Sequence, residues 1–432
     1  MKPAPSVFIE TYGCAFNWAD SEALEGLLAN ADCRIAADPA TADVVILNSC
    51  TVKDRTCLDF RKRLASLAER RRRQGRPAIV VAGCAPQANP REPMLEDLAC
   101  IGPNNLSAVL QAVDAALEGR PFRGVPEGGE ARLELPWHRR NPAVEILPIN
   151  RGCRSACAFC QTRLARGRLA SFPIPDIVRR ARTTVAEGVR EIWLTSQDTG
   201  AYGADIGARL PDLLEALASL EGDFKIRLGM SSPQWVHRDL KRLLDVFDSP
   251  RFCQFLHAPV QSGDDRVLRA MRRGNTVAQF EEVCAAFRRR FPQMALWTDV
   301  IVGFPTETDE EFQRTLELLR RVRPATVNRS RFSPRPGTAA ACMPQLPSRV
   351  VSERSRRLTV LVEEISASGL AEWAGWQGEA WVSEIKRPGS AVARNFAYRP
   401  IILQGQFQPG QRLHVRVVGA NVYHLIGEIL PE

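Results

Sequence analysis

The chain has 432 residues, 45% of them hydrophobic and 25% charged, with a formal net charge of +9. That length exceeds one ordinary core and implies two or three globular domains. No apolar run reaches the ~20 residues of a membrane-spanning helix. The opening MKPAPSVFIETYGC has no apolar signal core before its first strand, so the expected location is cytoplasmic. Twelve cysteines in such a compartment are expected to be reduced, some of them on metal, which argues against a disulfide framework.

From residue 6 to about 120 the chain alternates short apolar runs (7–11, 44–47, 78–81) with helical stretches such as 21–30 and 59–73. This βαβ rhythm predicts a parallel sheet, whose sites form beyond the carboxyl ends of the strands. Cys14, Cys50 and Cys84 all fall at such ends, in VFIETYGC, DVVILNSC and AIVVAGC. Residues 121–142, rich in Pro, Gly and Arg, read as a linker. A second series follows, with strands expected at 144–149, 191–195, 225–230, 253–257, 295–302 and 325–331, separated by amphipathic helices. Six parallel strands with outer helices predict a partial (βα) barrel. After a helical segment at 348–368, short alternating strands from about 372 predict a small β-barrel of the oligonucleotide-binding sort. The expected organisation is α/β: an open parallel αβ domain (1–120), a linker (121–142), a partial (βα)6 barrel (143–371) and a small β-barrel (372–432).

Cys153, Cys157 and Cys160 form C-x3-C-x2-C just past the first barrel strand. Tight cysteine spacing of this kind is how chains hold iron–sulfur centres. A structural zinc site asks for four closed ligands, and the next cysteine is as far away as Cys253. Three thiolates suit a four-iron cluster with one iron left open; zinc, or no metal at all, is the alternative reading. Cys14, Cys50 and Cys84 are individually weak, because a lone cysteine in an apolar setting is usually a small buried hydrophobe. The strand–Cys–turn context repeated three times makes them a second candidate site. Cys33, Cys57, Cys100, Cys253, Cys284 and Cys342 lack that context and are expected to be structural. Two incomplete sites suggest two reagents brought to one substrate.

The arginine-rich charge is compatible with a nucleic-acid partner. The runs Arg61–Lys62–Arg63 and Arg70 to Arg73 are either RNA contacts or a solvated helix face. Residues 372–432 hold six Lys and Arg against five Glu, hardly a basic patch.

At TYGCAFNWADSE (11–22), LNSCTVK (47–53), VAGCAPQ (81–87), INRGCRSACAFCQTRLARG (149–167), IWLTSQDTGAYG (192–203), PVQSG (259–263) and DVIVGFPTET (299–308), the chain resembles the methylthiotransferase family of radical S-adenosylmethionine (SAM) enzymes. NSCTVK, ARG (165–167) followed by LASFPI, and SQDTGAYG resemble the archaeal and eukaryotic type acting on threonylcarbamoyladenosine in tRNA. The resemblance implies a radical SAM barrel and a TRAM-like β-barrel at the end. It implies two [4Fe–4S] clusters, one on Cys153, Cys157 and Cys160 and one on Cys14, Cys50 and Cys84, with SAM as cosubstrate. Thr195, Ser196 and Gln197 are expected near the methionine end of SAM, and Gly303 and Pro305, in the Val302–Pro305 stretch, near its adenine; barrel core is the alternative for the apolar members of these segments. Asp198, Gln261 and Glu307 are candidate polar contacts, and no catalytic role is expected for His257. The implied partners are the tRNA anticodon loop, an electron donor and a sulfur donor. The alternatives are a methylthiotransferase acting on isopentenyladenosine-37 or on a ribosomal-protein aspartate, and a non-catalytic metal-bearing RNA-binding protein.

Overall fold

The computed structural model describes residues 4–52, 54–126, 129–130 and 132–431. Lys53 of the LNSCTVK segment, Glu127, Gly128 and Ala131 of the expected linker, residues 1–3 and Glu432 lie outside the described residues.

The N-terminal layer is one parallel sheet of β1 (Ser6–Thr11), β2 (Arg34–Ile35), β3 (Val44–Ser49), β4 (Ala78–Gly83), β5 (Ala99–Ile101) and β6 (Phe122–Gly124), in the order β2-β1-β3-β4-β5-β6. All six residues of β3 and of β4 are buried, as expected for apolar parallel strands covered on both faces. Ala23, Leu24 and Leu28 of the Ala15–Asn30 helix pack one face beside the Val109–Leu117 helix. Phe60, Leu64 and Leu67 of the Asp54–Gln74 helix pack the other. Strand order reverses at β1, which opens a crevice beyond the carboxyl ends of β1 and β3.

Part of the expected linker is structural. Phe122–Gly124 pairs with β5 as the sheet's edge strand, and Phe122 packs onto the sheet's core. Further on, the backbone at Pro136 and Trp137 lies so close to the Ala15–Asn30 helix that a Cβ on Gly26 would stand 2.5 Å from it. Pro, Gly and Arg content marked this segment as irregular but carried no sign of these long-range contacts.

The central domain follows the expected strands closely: β7 (Val144–Pro148), the two-residue antiparallel ladder β8 (Asn150–Arg151) and β9 (Ala170–Ser171), then β10 (Glu191–Thr195), β11 (Lys225–Leu228), β12 (Phe255–His257), β13 (Ala295–Val302) and β14 (Thr326–Arg331). Parallel ladders β7-β10-β11 and β12-β13-β14 are joined by one bridge, Ile226 to Phe252. The strands therefore run in sequence order as an open barrel; among the described residues no pairing joins β14 to β7.

The Ser348–Ala371 helix leads into a closed barrel of β15 (Gln377–Arg387), β16 (Ser390–Asn395), β17 (Pro400–Gln404), β18 (Arg412–Ala420) and β19 (Leu425–Ile429), ordered β15-β16-β17-β19-β18. Glu191, the first residue of β10 and 1% exposed, accepts hydrogen bonds from Trp381 Nε1 (2.9 Å), Ser383 Oγ (2.9 Å) and Tyr398 Oη (2.6 Å). Phe255 and Ala295, which open β12 and β13, pack against Trp381 and Tyr398. The small barrel thus covers the amino-terminal ends of the strands, opposite the end that carries the cysteines. Among the described residues no helix is long and apolar enough to cross a membrane.

At the other end the two large domains are joined through Asp20, which is 0% exposed. Its Oδ2 accepts from Arg166 Nη2 at 2.6 Å, and its Oδ1 pairs with Arg132. The two guanidinium groups lie 4.3 and 4.7 Å from the centroid of the Phe16 ring. Removing one member of a buried ion cluster leaves charge without a partner, at a cost of about 3–5 kcal/mol. Asp20→Ala is therefore expected to lower the thermal melting temperature markedly; a variant melting with the wild type would contradict this role.

Candidate active site

Cys14, Cys50 and Cys84 follow β1, β3 and β4, three adjacent strands, so the sheet itself gathers residues distant in sequence. Gly13 permits the approach: its φ is +114°, and a Cβ there would lie 2.6 Å from Cys50 Cβ and 2.9 Å from its Sγ. Burial pushes the Cys50 thiol up to about 12, with further contributions from Cys84 and Cys14. Burial also raises the Cys84 thiol, and the neighbouring Arg166 guanidinium opposes that rise.

The Cys153 loop leaves β8 and returns through β9. Ala158 N donates to Met271 O (2.9 Å), and Ala340 N donates to Ala158 O (2.8 Å), which ties the loop to segments on both sides of the barrel opening. Burial, then the Asp198 carboxylate, pushes the Cys153 thiol up to about 12. Burial, then Cys157, raises Cys160, whose Sγ donates to Thr162 Oγ1 at 2.9 Å. Arg273 Nη1 reaches Cys157 Sγ at 3.7 Å. The two triads face each other: Cys160 contributes to the electrostatics of Cys84, and the Thr162–Arg166 helix packs on the Cys84–Ala88 helix.

Two adjoining cavities lie between the domains. One, of about 500 Å³, is bordered by Cys50, Cys57, Asp54 and Arg61. The other, of about 270 Å³, is bordered by Cys160, Phe159, Gln261 and Asp299. Thr51, Gln161, Ser333 and Arg335 border both. Gln261 holds a φ of +75°, unusual for a residue with a side chain. His257 Nε2 is 2.9 Å from Asp299 Oδ1, which also accepts from Asn328 Nδ2 at 2.7 Å; His257 thus lines the smaller cavity within a polar network.

Thr195 ends β10 buried, and its carbonyl accepts from Ile149 N at 3.0 Å. Ser196 Oγ accepts from Asp198 N at 3.0 Å. Gln197 Oε1 and Asp198 Oδ2 are buried acceptors without a hydrogen-bond partner, and burial raises the Asp198 carboxyl. Gly303 and Pro305 are buried past β13, and a Cβ on Gly303 would stand 2.6 Å from Val351; neither residue borders the two cavities. Glu307 anchors their loop, accepting from Gly303 N (3.1 Å) and pairing with the buried Arg354 (2.9 Å).

The arginine runs are committed within the chain. Arg61 pairs with Glu92 (3.2 Å) and Arg63 with Glu10 (2.8 Å), while Arg72 and Arg73 both pair with Glu69. Arg70 donates to Ala40 O at 2.8 Å. Arg61, Arg72 and Arg73 remain more than half exposed in these pairs, as on a solvated helix face. Of the other cysteines, Cys100, Cys253 and Cys284 are buried; Cys57 instead shares a cavity wall with Cys50 and donates to its carbonyl at 3.3 Å. Sequence reasoning quoted Arg166 only within the family-like ARG segment and gave it no role, and it missed Arg273 and Arg335, because an isolated arginine carries no spacing pattern to mark it.

The Radical SAM superfamily model matches residues 147–319, and Uncharacterized protein family UPF0004 matches 6–100. A probable threonylcarbamoyladenosine tRNA methylthiotransferase of Pyrococcus horikoshii is 40% identical over 98% of this chain and 99% of its own. The threonylcarbamoyladenosine tRNA methylthiotransferase of Danio rerio is 42% identical over 99% of this chain and 78% of its own. This chain belongs to that methylthiotransferase family. A radical SAM methyltransferase, TsrM of Kitasatospora setae, shares the fold with a TM-score of 0.58 at 13% identity, covering 78% of this chain and 77% of its own. As a radical SAM protein, this methylthiotransferase family member uses a [4Fe–4S] cluster and SAM.

The Glu307 anchor has a pH signature. Burial raises its carboxyl from 4.5 to about 7 although Arg354 opposes the shift. The folded state then holds a proton that the unfolded state releases first, so this group's contribution makes stability fall as pH rises from about 4.5 to about 7. In Glu307→Gln that slope should flatten, as read from melting temperatures across the interval; an unchanged slope would contradict the assignment.

Proposed function

We propose that this chain inserts a methylthio group at C2 of N6-threonylcarbamoyladenosine 37 in tRNA. Cys153, Cys157 and Cys160 hold the cluster that binds SAM, and Cys14, Cys50 and Cys84 hold a second [4Fe–4S] cluster on the sulfur-delivering side. The observation that carries the reading is that one cysteine of each triad, Cys50 and Cys160, borders one of two adjoining cavities with shared walls. Among the described residues no three His, Cys, Asp or Glu side chains converge on a single-ion site. Three thiolates without a fourth ligand suit a cluster in which each thiolate takes its own iron.

Adenine C2 is an unactivated carbon that no side-chain acid or base makes reactive, and the bound cluster and SAM supply the radical chemistry it needs. The chain's own residues do the rest. Arg273 places a fixed positive charge beside Cys157. Gln197 Oε1 and Asp198 Oδ2, acceptors with no partner of their own, fit the amino group of SAM beside Thr195 and Ser196. Gly303 and Pro305 shape the loop on the adenine side, held by Glu307 and Arg354. The N-terminal domain roofs the barrel mouth and keeps water from the reacting carbon. Base 37 lies in a single-stranded loop, where it can be splayed into such a crevice. An electron donor and a sulfur donor complete the reaction, and the expected compartment is the cytoplasm.

Nucleoside analysis of tRNA from a host with and without this gene product tests the substrate. The 2-methylthio derivative of threonylcarbamoyladenosine should vanish without it. Loss of the isopentenyladenosine derivative instead, or of a modified ribosomal-protein aspartate, would transfer the activity to a sibling substrate. A count of roughly eight irons per chain is expected for two cubane clusters, whereas zinc would favour a non-catalytic RNA-binding protein. Cys157→Ala should abolish 5′-deoxyadenosine formation. Cys50→Ala should retain it while losing the methylthio product; product at wild-type yield would refute the second-cluster assignment.

A further inference from the structure

We infer that Arg166 is a positioning residue for the metal group on Cys14, Cys50 and Cys84, aiming a permanently charged hydrogen-bond donor at the sulfurs of that site from the peptide that carries the other site. This rests on the reading that those three cysteines hold a cluster. Arg166 is among the largest fully buried side chains of the protein and is 2% exposed. It stands six residues after Cys160, at the end of the helix that packs on the helix begun by Cys84. Its Nη2 is satisfied by Asn17 Oδ1 (3.0 Å) and Asp20 Oδ2 (2.6 Å). Its Nη1 is buried and meets no oxygen or nitrogen acceptor, and the guanidinium acts on the Cys84 thiol as a hydrogen-bond donor.

An interdomain clamp alone does not explain why the remaining N–H is turned to the Cys84 side. Arg132 already supplies a counter-charge to Asp20 from the strap, and a donor left bare at this depth is costly unless something meets it. The surroundings indicate what that is. Arg166 is the chief influence opposing the burial of the Cys84 thiol. Its partner Asn17 lies 3.6 Å from Cys14 Sγ and donates to the carbonyl of Ser49, the residue before Cys50, at 2.8 Å. The guanidinium and its one amide partner therefore touch the neighbourhoods of all three cysteines. Stacking on Phe16 fixes the plane of the fork. Thiolate-ligated clusters carry net negative charge, and hydrogen bonds to their sulfurs together with nearby charge set their reduction potential. Arg166 is the described cation placed to do both.

The test isolates the second cluster in a chain with Cys153, Cys157 and Cys160 all changed to Ala, reconstituted with iron and sulfide and titrated by EPR-monitored reduction. Into this background go Arg166→Gln, which removes the charge, and Arg166→Lys, which keeps it without the fork. Asp20 keeps Arg132 in either case, so the pair left behind remains matched. The expected result is a shift of the midpoint to more negative potential in Arg166→Gln, partly restored in Arg166→Lys. Should Arg166→Gln fail to hold the cluster, the same change in the otherwise wild-type chain should lose iron from the Cys14 site while the Cys153 site stays loaded. A wild-type potential in Arg166→Gln, or equal loss of iron from both sites, overturns the inference. Absence of any cluster in the three-alanine parent would instead overturn the second-cluster reading itself.

Discussion

The buried meeting of Asp20 with Arg166 and Arg132 is the constraint on which the site depends. Asp20 sits on the helix capped by Cys14, Arg166 on the helix that follows Cys160, and Arg132 on the strap between domains. One carboxylate facing two guanidinium groups at essentially zero exposure is an arrangement that desolvation alone would forbid. It persists because Phe16 offers its ring to both cations, Asn17 shares one of them, and the Cys84 region receives part of the excess charge. The consequence is geometric. Two cysteine triads from separately folded sheets are held face to face by a bond network that neither sheet supplies alone.

The two ends of the central sheet are used differently. At the carboxyl ends, loops and the N-terminal domain enclose cavities bordered by Cys50 and Cys160. At the amino-terminal ends, Glu191 collects three donors from the small β-barrel and fixes it there. Parallel sheets concentrate chemistry at the carboxyl ends and leave the opposite face to stability, and this chain follows that division. The small barrel therefore cannot roof the mouth; that role falls to the N-terminal sheet.

Much of this was legible in the sequence because it is periodic. Strand-like runs of five to eight residues placed the strands β7, β10, β13 and β14 within a residue or two, and the repeated strand–Cys–turn context placed three distant cysteines at one end of the sheet. What stayed hidden depends on contacts far apart in the chain. Phe122–Gly124 looked like linker because a three-residue edge strand has no period to detect, and only its partner β5 makes it a strand. Arg132 and Arg273 looked like any other arginines and Arg166 was only part of a family-like segment; a partner more than a hundred residues away, as for Arg166 with Asp20 and Arg273 with Cys157, separates them from the rest. The conspicuous runs at 61–63 and 70–73 drew notice by density, and the fold spends them on exposed ion pairs and carbonyl contacts of small value.

Charge density is thus a poor guide to where charge acts in this protein, and burial is a better one. A guanidinium in solvent is screened by water and salt, whereas the same group out of water interacts strongly with whatever negative charge is near. Each cysteine triad has one arginine within reach: Arg273 at Cys157 and Arg166 at Cys84. Burial raises the thiols of Cys50, Cys84, Cys153 and Cys160, so holding them as thiolates on metal requires compensating positive charge close by. In the proposed clusters iron would supply most of it, and the two arginines supply what the protein can fix in advance. Arg166 comes from the central domain and reaches the Cys84 site only when both domains are docked, which couples that site to an assembled fold, whereas Arg273 reaches Cys157 within the central domain itself.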